Sequence, residues 1–135
     1  MKKLVFYRCA VCGNVAIKLV DKGVPMFCCG QKMVELEPNT NEGAVEKHIP
    51  VGVIEGGEVK IQVGSTLHPM TEEHYISLIV IETNKGFKVF NLTSNDQPIV
   101  SMPLSKGEKY VKSFAFCNLH GLWEASAESY NNMII

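Results

Sequence analysis

Four of the five cysteines fall within the first 29 residues, as Cys9-x-x-Cys12 and the adjacent pair Cys28-Cys29. This placement limits the fold more than any other feature, because a segment that short has too little apolar surface to form its own core and needs a staple. Five is an odd number, so full disulfide pairing within the chain is impossible. Each pair is followed by a glycine, Gly13 or Gly30, that lets the backbone curl with its amides toward sulfur. Four soft donors so arranged favour a tetrahedral zinc or iron ion, and its binding would supply the missing stabilisation. Adjacent cysteines predict a distorted tetrahedron. A thioredoxin-type dithiol is disfavoured, since the β setting offers no helix N-terminus to depress a thiol pKa. A structural zinc knuckle remains open, whereas four buried cysteines without a ligand would be a coincidence.

At 135 residues the chain accommodates a domain of about 100 residues plus a small module. Its 46% hydrophobic and 20% charged residues suit a globular protein. A net charge of −1, with no basic run beyond Lys2-Lys3, gives no general pull toward nucleic acid or an anionic membrane. The opening Met1 to Tyr7 has the flavour of a signal peptide, but Arg8 interrupts it and no small-residue cleavage site follows. We read it as a strand. No apolar stretch approaches the roughly 20 residues of a membrane-spanning helix. A cytoplasmic location is therefore expected, where thiols stay reduced and paired cysteines signal metal or redox chemistry.

The first domain is placed at 1–37, with short strands from Leu4 to Arg8 and Val15 to Val20, and the polar, turn-rich stretch Glu37 to Gly43 is read as a linker. The second domain, 38–135, is β throughout. Val59, Ile61 and Val63 alternate with Glu58, Lys60 and Gln62, the mark of a strand with one wet face. Tyr75 to Thr83 is nearly continuously apolar, as a central strand would be, and Gly86–Leu92, Ile99–Met102, Lys109–Cys117 and Leu122–Ala127 continue the series. These strands predict an immunoglobulin-like antiparallel β-sandwich, making the whole chain all-β. No segment shows helical periodicity. The register of Asn84 to Leu104 and the role of the tail after Trp123 are not fixed by the pattern.

The fifth cysteine stands in Cys117-Asn118-Leu119-His120, where a thiolate and an imidazole can reach one metal ion. The remaining histidines are His48, His68 and His74. Taken singly, each is more ordinarily a surface or satisfied core residue. As a set they fall where strands begin or end, and loops at strand ends are where sandwiches build sites. Five donors overfill zinc's tetrahedron, whereas iron accepts a square pyramid of four imidazoles with a thiolate at the apex. One position would then stay open for a small anion. Lys47 is the neighbouring cation and Glu46 a possible weak ligand, although a Glu-Lys pair beside a strand is usually a solvated face.

With these residues in place, the chain resembles the desulfoferrodoxins, the two-iron form of superoxide reductase. Cys9-x-x-Cys12 with Cys28-Cys29 is similar to the desulforedoxin-like iron module. Glu46-Lys47-His48-x-Pro50, His68-Pro69-Met70-x-x-x-His74 and Cys117-Asn118-Leu119-His120-Gly121-x-Trp123 are similar to the motifs of the neelaredoxin-like domain. The resemblance implies two irons per chain, one on Cys9, Cys12, Cys28 and Cys29 and one on His48, His68, His74, Cys117 and His120. It implies one-electron reduction of superoxide to hydrogen peroxide without release of dioxygen. Lys47 would assist anion capture and protonation, and Glu46 would occupy the oxidised site. It further implies a homodimer and an electron donor such as rubredoxin. The competing reading is a non-catalytic iron electron carrier, which would gain from saturated iron, while chemistry on a ligand needs an exchangeable position.

Overall fold

The structure, a computed structural model, describes residues 3–127. The chain divides between Glu37 and Pro38 into two compact units. In the first, β1 (Phe6–Arg8) lies between β2 (Val15–Ile17) and β5 (Val34–Glu35), antiparallel to both, while β3 (Phe27–Cys28) and β4 (Gln31–Lys32) form a separate hairpin. Strands of two or three residues cannot establish an inner and an outer face, and the described interior is thin: Phe6, Cys9 and Met33. Turns carry much of the architecture. The Cys9–Asn14 turn closes with Cys9 N–H on the Asn14 carbonyl at 2.9 Å and Gly13 N–H on the Cys9 carbonyl at 3.0 Å, with Gly13 at φ 84°.

The second unit begins with a single helical turn, α1 (Val45–His48). Seven strands follow: β6 (Pro50–Glu55), β7 (Glu58–Val63), β8 (Ile76–Thr83), β9 (Gly86–Asn91), β10 (Ile99–Pro103), β11 (Tyr110–Cys117) and β12 (Gly121–Ser126). They form two antiparallel sheets in the orders β10-β7-β6 and β12-β11-β8-β9. The chain passes from one sheet to the other at β7–β8, β9–β10 and β10–β11, giving the immunoglobulin-like sandwich that the strand pattern predicts.

The core follows from the alternation. Val59, Ile61 and Val63 are fully buried and meet Ile76, Ile79, Ile81, Val100, Tyr110, Ala115 and Cys117. Each such aliphatic side chain contributes about 1.5–3 kcal/mol on burial. Ile76 is out of phase with Ile79 and Ile81 for a regular strand. A β-bulge corrects this: Phe116 faces Leu78 while Cys117 faces Ile76, so Ser77 is the extra residue and Ile76 turns back into the core opposite Cys117.

Two features depart from the sequence reading. The turn α1 is not visible in Val-Glu-Lys-His because four residues show no period. The stretch expected to be a linker is instead bound to β12 from Asn39 onward. Asn39 N–H donates to the Leu122 carbonyl at 3.0 Å, its Nδ2 donates to the Glu124 carbonyl at 3.1 Å, and its Oδ1 accepts the Glu124 N–H at 2.8 Å. The polar residues that suggested a free linker are the groups that hold the strap. Residues 128–135, to which the sequence assigns no role, lie outside the described residues.

Candidate metal centres

The first centre gathers Cys9, Cys12, Cys28 and Cys29, whose sulfurs all lie within 4.8 Å of one another. In an extended chain Cys28 and Cys29 would point to opposite sides. Cys29 escapes this by adopting φ 53°, followed by Gly30 at φ 73°. Amides point at sulfur as the glycine placement predicts: Cys12 N–H to Cys9 Sγ at 3.4 Å and Asn14 N–H to Cys12 Sγ at 3.5 Å. Cys12 and Cys28 sulfurs are 3.6 Å apart, close to the about 3.8 Å that tetrahedral ligands at 2.3 Å from zinc would show. The Cys12 amide holds the Cys9 thiol low, at about 6, whereas the neighbouring thiols Cys12, Cys9 and Cys28 push Cys29 up to about 12. Cys28 is raised as well, chiefly by Cys9. A cation at the centre would let the raised thiols of Cys28 and Cys29 shed their protons.

The second centre is built at one end of the sandwich. His48 is the last residue of α1, His68 lies in the β7–β8 connection, His74 stands two residues before β8, and Cys117 and His120 flank the β11–β12 turn. The imidazoles form a closed belt. Ring centroids are 4.7 Å apart for His48–His68, 4.5 Å for His68–His74, 5.0 Å for His74–His120 and 4.8 Å for His48–His120, each pair nearly perpendicular. Across the belt His48 and His74 are 6.2 Å apart. Donor atoms of His48, His74, Cys117 and His120 lie within 4.8 Å of one another, and His68 closes the fourth side with its Nε2 3.2 Å from that of His48.

The inward atoms can be assigned. His48 Nδ1 and His68 Nδ1 each lie 2.7 Å from a carbonyl oxygen, of Ala44 and Pro69 respectively. A carbonyl only accepts, so both Nδ1 atoms carry the proton and both Nε2 lone pairs face the belt. His120 presents Nδ1, 3.0 Å from His48 Nε2 and 3.8 Å from Cys117 Sγ. Two nitrogens at right angles around a metal at 2.1 Å sit about 3.0 Å apart, which matches the two nitrogen contacts. His74 Nε2 is buried with no hydrogen-bond partner, an orphan that a metal would satisfy. The residues therefore fit a metal ion.

Burial holds His48, His68 and His74 below the usual imidazole range, His68 at about 4, so they stand in the neutral, ligating form. Burial pushes the Cys117 thiol up, opposed by the His120 and Leu119 amides, with His120 N–H 3.4 Å from sulfur. Trp123, quoted in the sequence motif without a role, stacks on His48 at 4.9 Å and donates its indole N–H to the His120 carbonyl at 3.0 Å.

Glu46 and Lys47 are exposed on α1, immediately before the buried His48. Their turn is pinned from below. The Glu46 carbonyl accepts Thr66 N–H at 3.0 Å and Ser65 Oγ–H at 3.2 Å. A Cβ on Gly64 would come within 2.5 Å of that carbonyl oxygen, so only glycine fits beneath the turn. Gly43 plays a similar part, lying where a Cβ would meet the His48 and His120 rings at 3.0–3.3 Å. Neither glycine sits in a sequence pattern that marks it out, and only the close approach reveals them.

The desulfoferrodoxin family model matches residues 40–126. The desulfoferrodoxin of Syntrophotalea carbinolica is 37% identical over 124 residues, covering 92% of this chain and 97% of its own length. That of Nitratidesulfovibrio vulgaris is 38% identical over 122 residues, covering 90% and 94%. Among solved structures, the superoxide reductase from Treponema pallidum superposes with a TM-score of 0.78 at 33% identity, covering 92% of this chain and 99% of that one. Since the likeness runs through nearly the full length of chain and relatives alike, this chain belongs to the desulfoferrodoxin family, whose two iron sites correspond to the cysteine group and the histidine–cysteine group.

Proposed function

We propose that this chain is a superoxide reductase working at the histidine–cysteine centre, with His48, His68, His74, Cys117 and His120 as iron ligands and Cys9, Cys12, Cys28 and Cys29 holding the second iron. The observation that carries the reading is the belt of four imidazoles with one buried thiol beside it, a donor set larger than a structural zinc site requires. Iron bound there supplies the single electron that, with two protons, converts superoxide to hydrogen peroxide.

The chain's own residues do the rest. The Ala44 and Pro69 carbonyls fix the tautomers of His48 and His68 and keep their Nε2 lone pairs aimed inward. Trp123 covers one face of His48 and keeps water from that side of the ring. Lys47, exposed beside the site, attracts the incoming anion and helps deliver a proton to it. Glu46, on the same pinned turn, would occupy the oxidised site once the product has left. In this reading the protein acts in the cytoplasm as a homodimer and is re-reduced by a small electron-transfer protein such as a rubredoxin. No helix among the described residues is long and apolar enough to cross a membrane.

The test is to mix the reduced, iron-quantified protein with a superoxide pulse under anaerobic conditions and score peroxide and dioxygen together. Peroxide without dioxygen is the expected result. Equal evolution of dioxygen would mean dismutation, and absence of any reaction would leave an electron carrier.

A further inference from the structure

Strands β8 and β11 are bracketed at both ends by the same device. Asn84 follows β8: its N–H donates to the Lys109 carbonyl at 3.1 Å, its Oδ1 accepts the Lys109 N–H at 2.8 Å and its Nδ2 donates to the Gly107 carbonyl at 3.0 Å. Asn118 follows β11 and repeats the pattern at the other end. Its N–H donates to the Tyr75 carbonyl at 3.2 Å, its Oδ1 accepts the Tyr75 N–H at 2.9 Å and its Nδ2 donates to the Glu73 carbonyl at 3.0 Å. Each asparagine thus grips the residue just before the partner strand and the one two positions earlier.

The two clamps differ in what they enclose. The residues around Asn84 include no histidine or cysteine. Asn118 stands between Cys117 and His120, and the two residues that its side chain grips, Glu73 and Tyr75, flank His74. His48 and His68 are oriented through their own rings by backbone carbonyls. Among the described residues no hydrogen bond holds the His74 ring; its backbone alone is held, by Thr71 on one side and by the Asn118 grip on its neighbours. We infer that Asn118 is a positioning residue that sets His74 against the Cys117–His120 turn, so that one side chain fixes the relative placement of three metal-binding positions. This rests on the reading of the histidine–cysteine group as an iron site. The duplicate clamp at Asn84 is a built-in control for the purely structural share of the effect.

The experiment uses the full, iron-loaded chain as wild type, Asn118→Ala, Asn118→Asp and Asn84→Ala. Three quantities are read: melting temperature, the rate at which a chelator strips iron from each centre followed by its own visible absorption, and the energy of the histidine–cysteine centre's band. Both alanine variants are expected to lose a comparable 4–8 °C or so of melting temperature for one lost clamp. Only Asn118→Ala is expected to shift the band and to speed iron loss from that centre by about tenfold or more, the scale at which outer partners of metal ligands act. Loss from the four-cysteine centre should be unchanged in every variant. Asn118→Asp keeps the acceptor for Tyr75 N–H and loses the donor to Glu73, so its iron loss should fall between wild type and Asn118→Ala; it decides the matter by the same criteria if Asn118→Ala does not fold. The inference is overturned if the Asn118 variants release iron within about twofold of wild type with an unshifted band, or if Asn84→Ala accelerates release equally. A wild-type chain that takes up no iron at the histidines overturns the site itself, and with it the role of the clamp.

Discussion

The two metal-binding regions solve one problem by opposite means. In the first unit few of the described apolar residues are fully buried: Val11, Leu19, Val20, Val24, Phe27 and Val34 are exposed, against an interior of Phe6, Cys9 and Met33. Its ligands are placed by turns and by residues in left-handed conformations, and Cys12 and Cys29 face solvent. In the second unit a ten-residue core already includes Cys117, and His48 and His68 are each only 2% exposed. The difference teaches that a ligand set can be assembled by the ion it binds or can be waiting for it. On these grounds the cysteine group should be of the first kind and the histidine belt of the second.

Removing the metals should separate the two most sharply. With both irons chelated, amide hydrogen exchange across residues 6–35 should lose essentially all protection, while β7, β8 and β11 keep theirs. Loss of protection in both units at once would break the comparison. A smaller contrast should appear in the pH dependence of metal affinity. The thiols of Cys28 and Cys29 are raised and must each release a proton on binding, while at the other centre the imidazoles of His48, His68 and His74 are already held neutral and the raised thiol of Cys117 releases one. Proton release means that affinity rises with pH at both centres. Between pH 7 and 8 the slope should be at least about a hundredfold per unit at the cysteine centre and about tenfold at the histidine centre, measured by chelator competition. Equal slopes would show that the belt is not pre-set in the neutral form. The mildest test concerns chemistry at the preformed site alone: Lys47→Ala should slow superoxide capture by a few fold, on the order of 1 kcal/mol, and flatten its dependence on ionic strength, leaving the visible spectrum nearly unchanged. Stopped-flow rates that ignore the substitution would remove Lys47 from the mechanism.

Much of this arrangement is legible in the chain itself. Cysteine spacing announces the first centre because soft donors so close together have few other uses, and Val59, Ile61 and Val63 announce β7 because burial of one face enforces a period of two. What the pattern hides is set by tertiary contacts. The bulge at Ser77 is masked inside the nearly unbroken apolar run from Tyr75 to Thr83, where alternation cannot be read. The pairing of β9 with β8 and of β10 with β7 fixes the register between Asn84 and Leu104, a segment whose sequence carries no motif. His48 belongs to a one-turn helix whose Glu46 carbonyl accepts hydrogen bonds from Ser65 and Thr66 in space left by Gly64, and nothing local in Val45–His48 foretells it. The strap from Asn39 to Gly43 reads as a free linker because its polarity is the same whether its partners are water or the edge of β12.

The position of Cys117 inside the sandwich core has a consequence for how such a protein can change over time. Its neighbours there are the aliphatic side chains that hold the two sheets together, so mutational drift in the hydrophobic interior is also drift in the surroundings of the thiol. A substitution at Ile76 or Ile79 that a plain sandwich would absorb as a small loss of stability here also alters the seat of a ligand, and selection on chemistry falls on residues that never meet the substrate. In the shallow cysteine module that burden is lighter, since Cys9 alone of its four cysteines is buried.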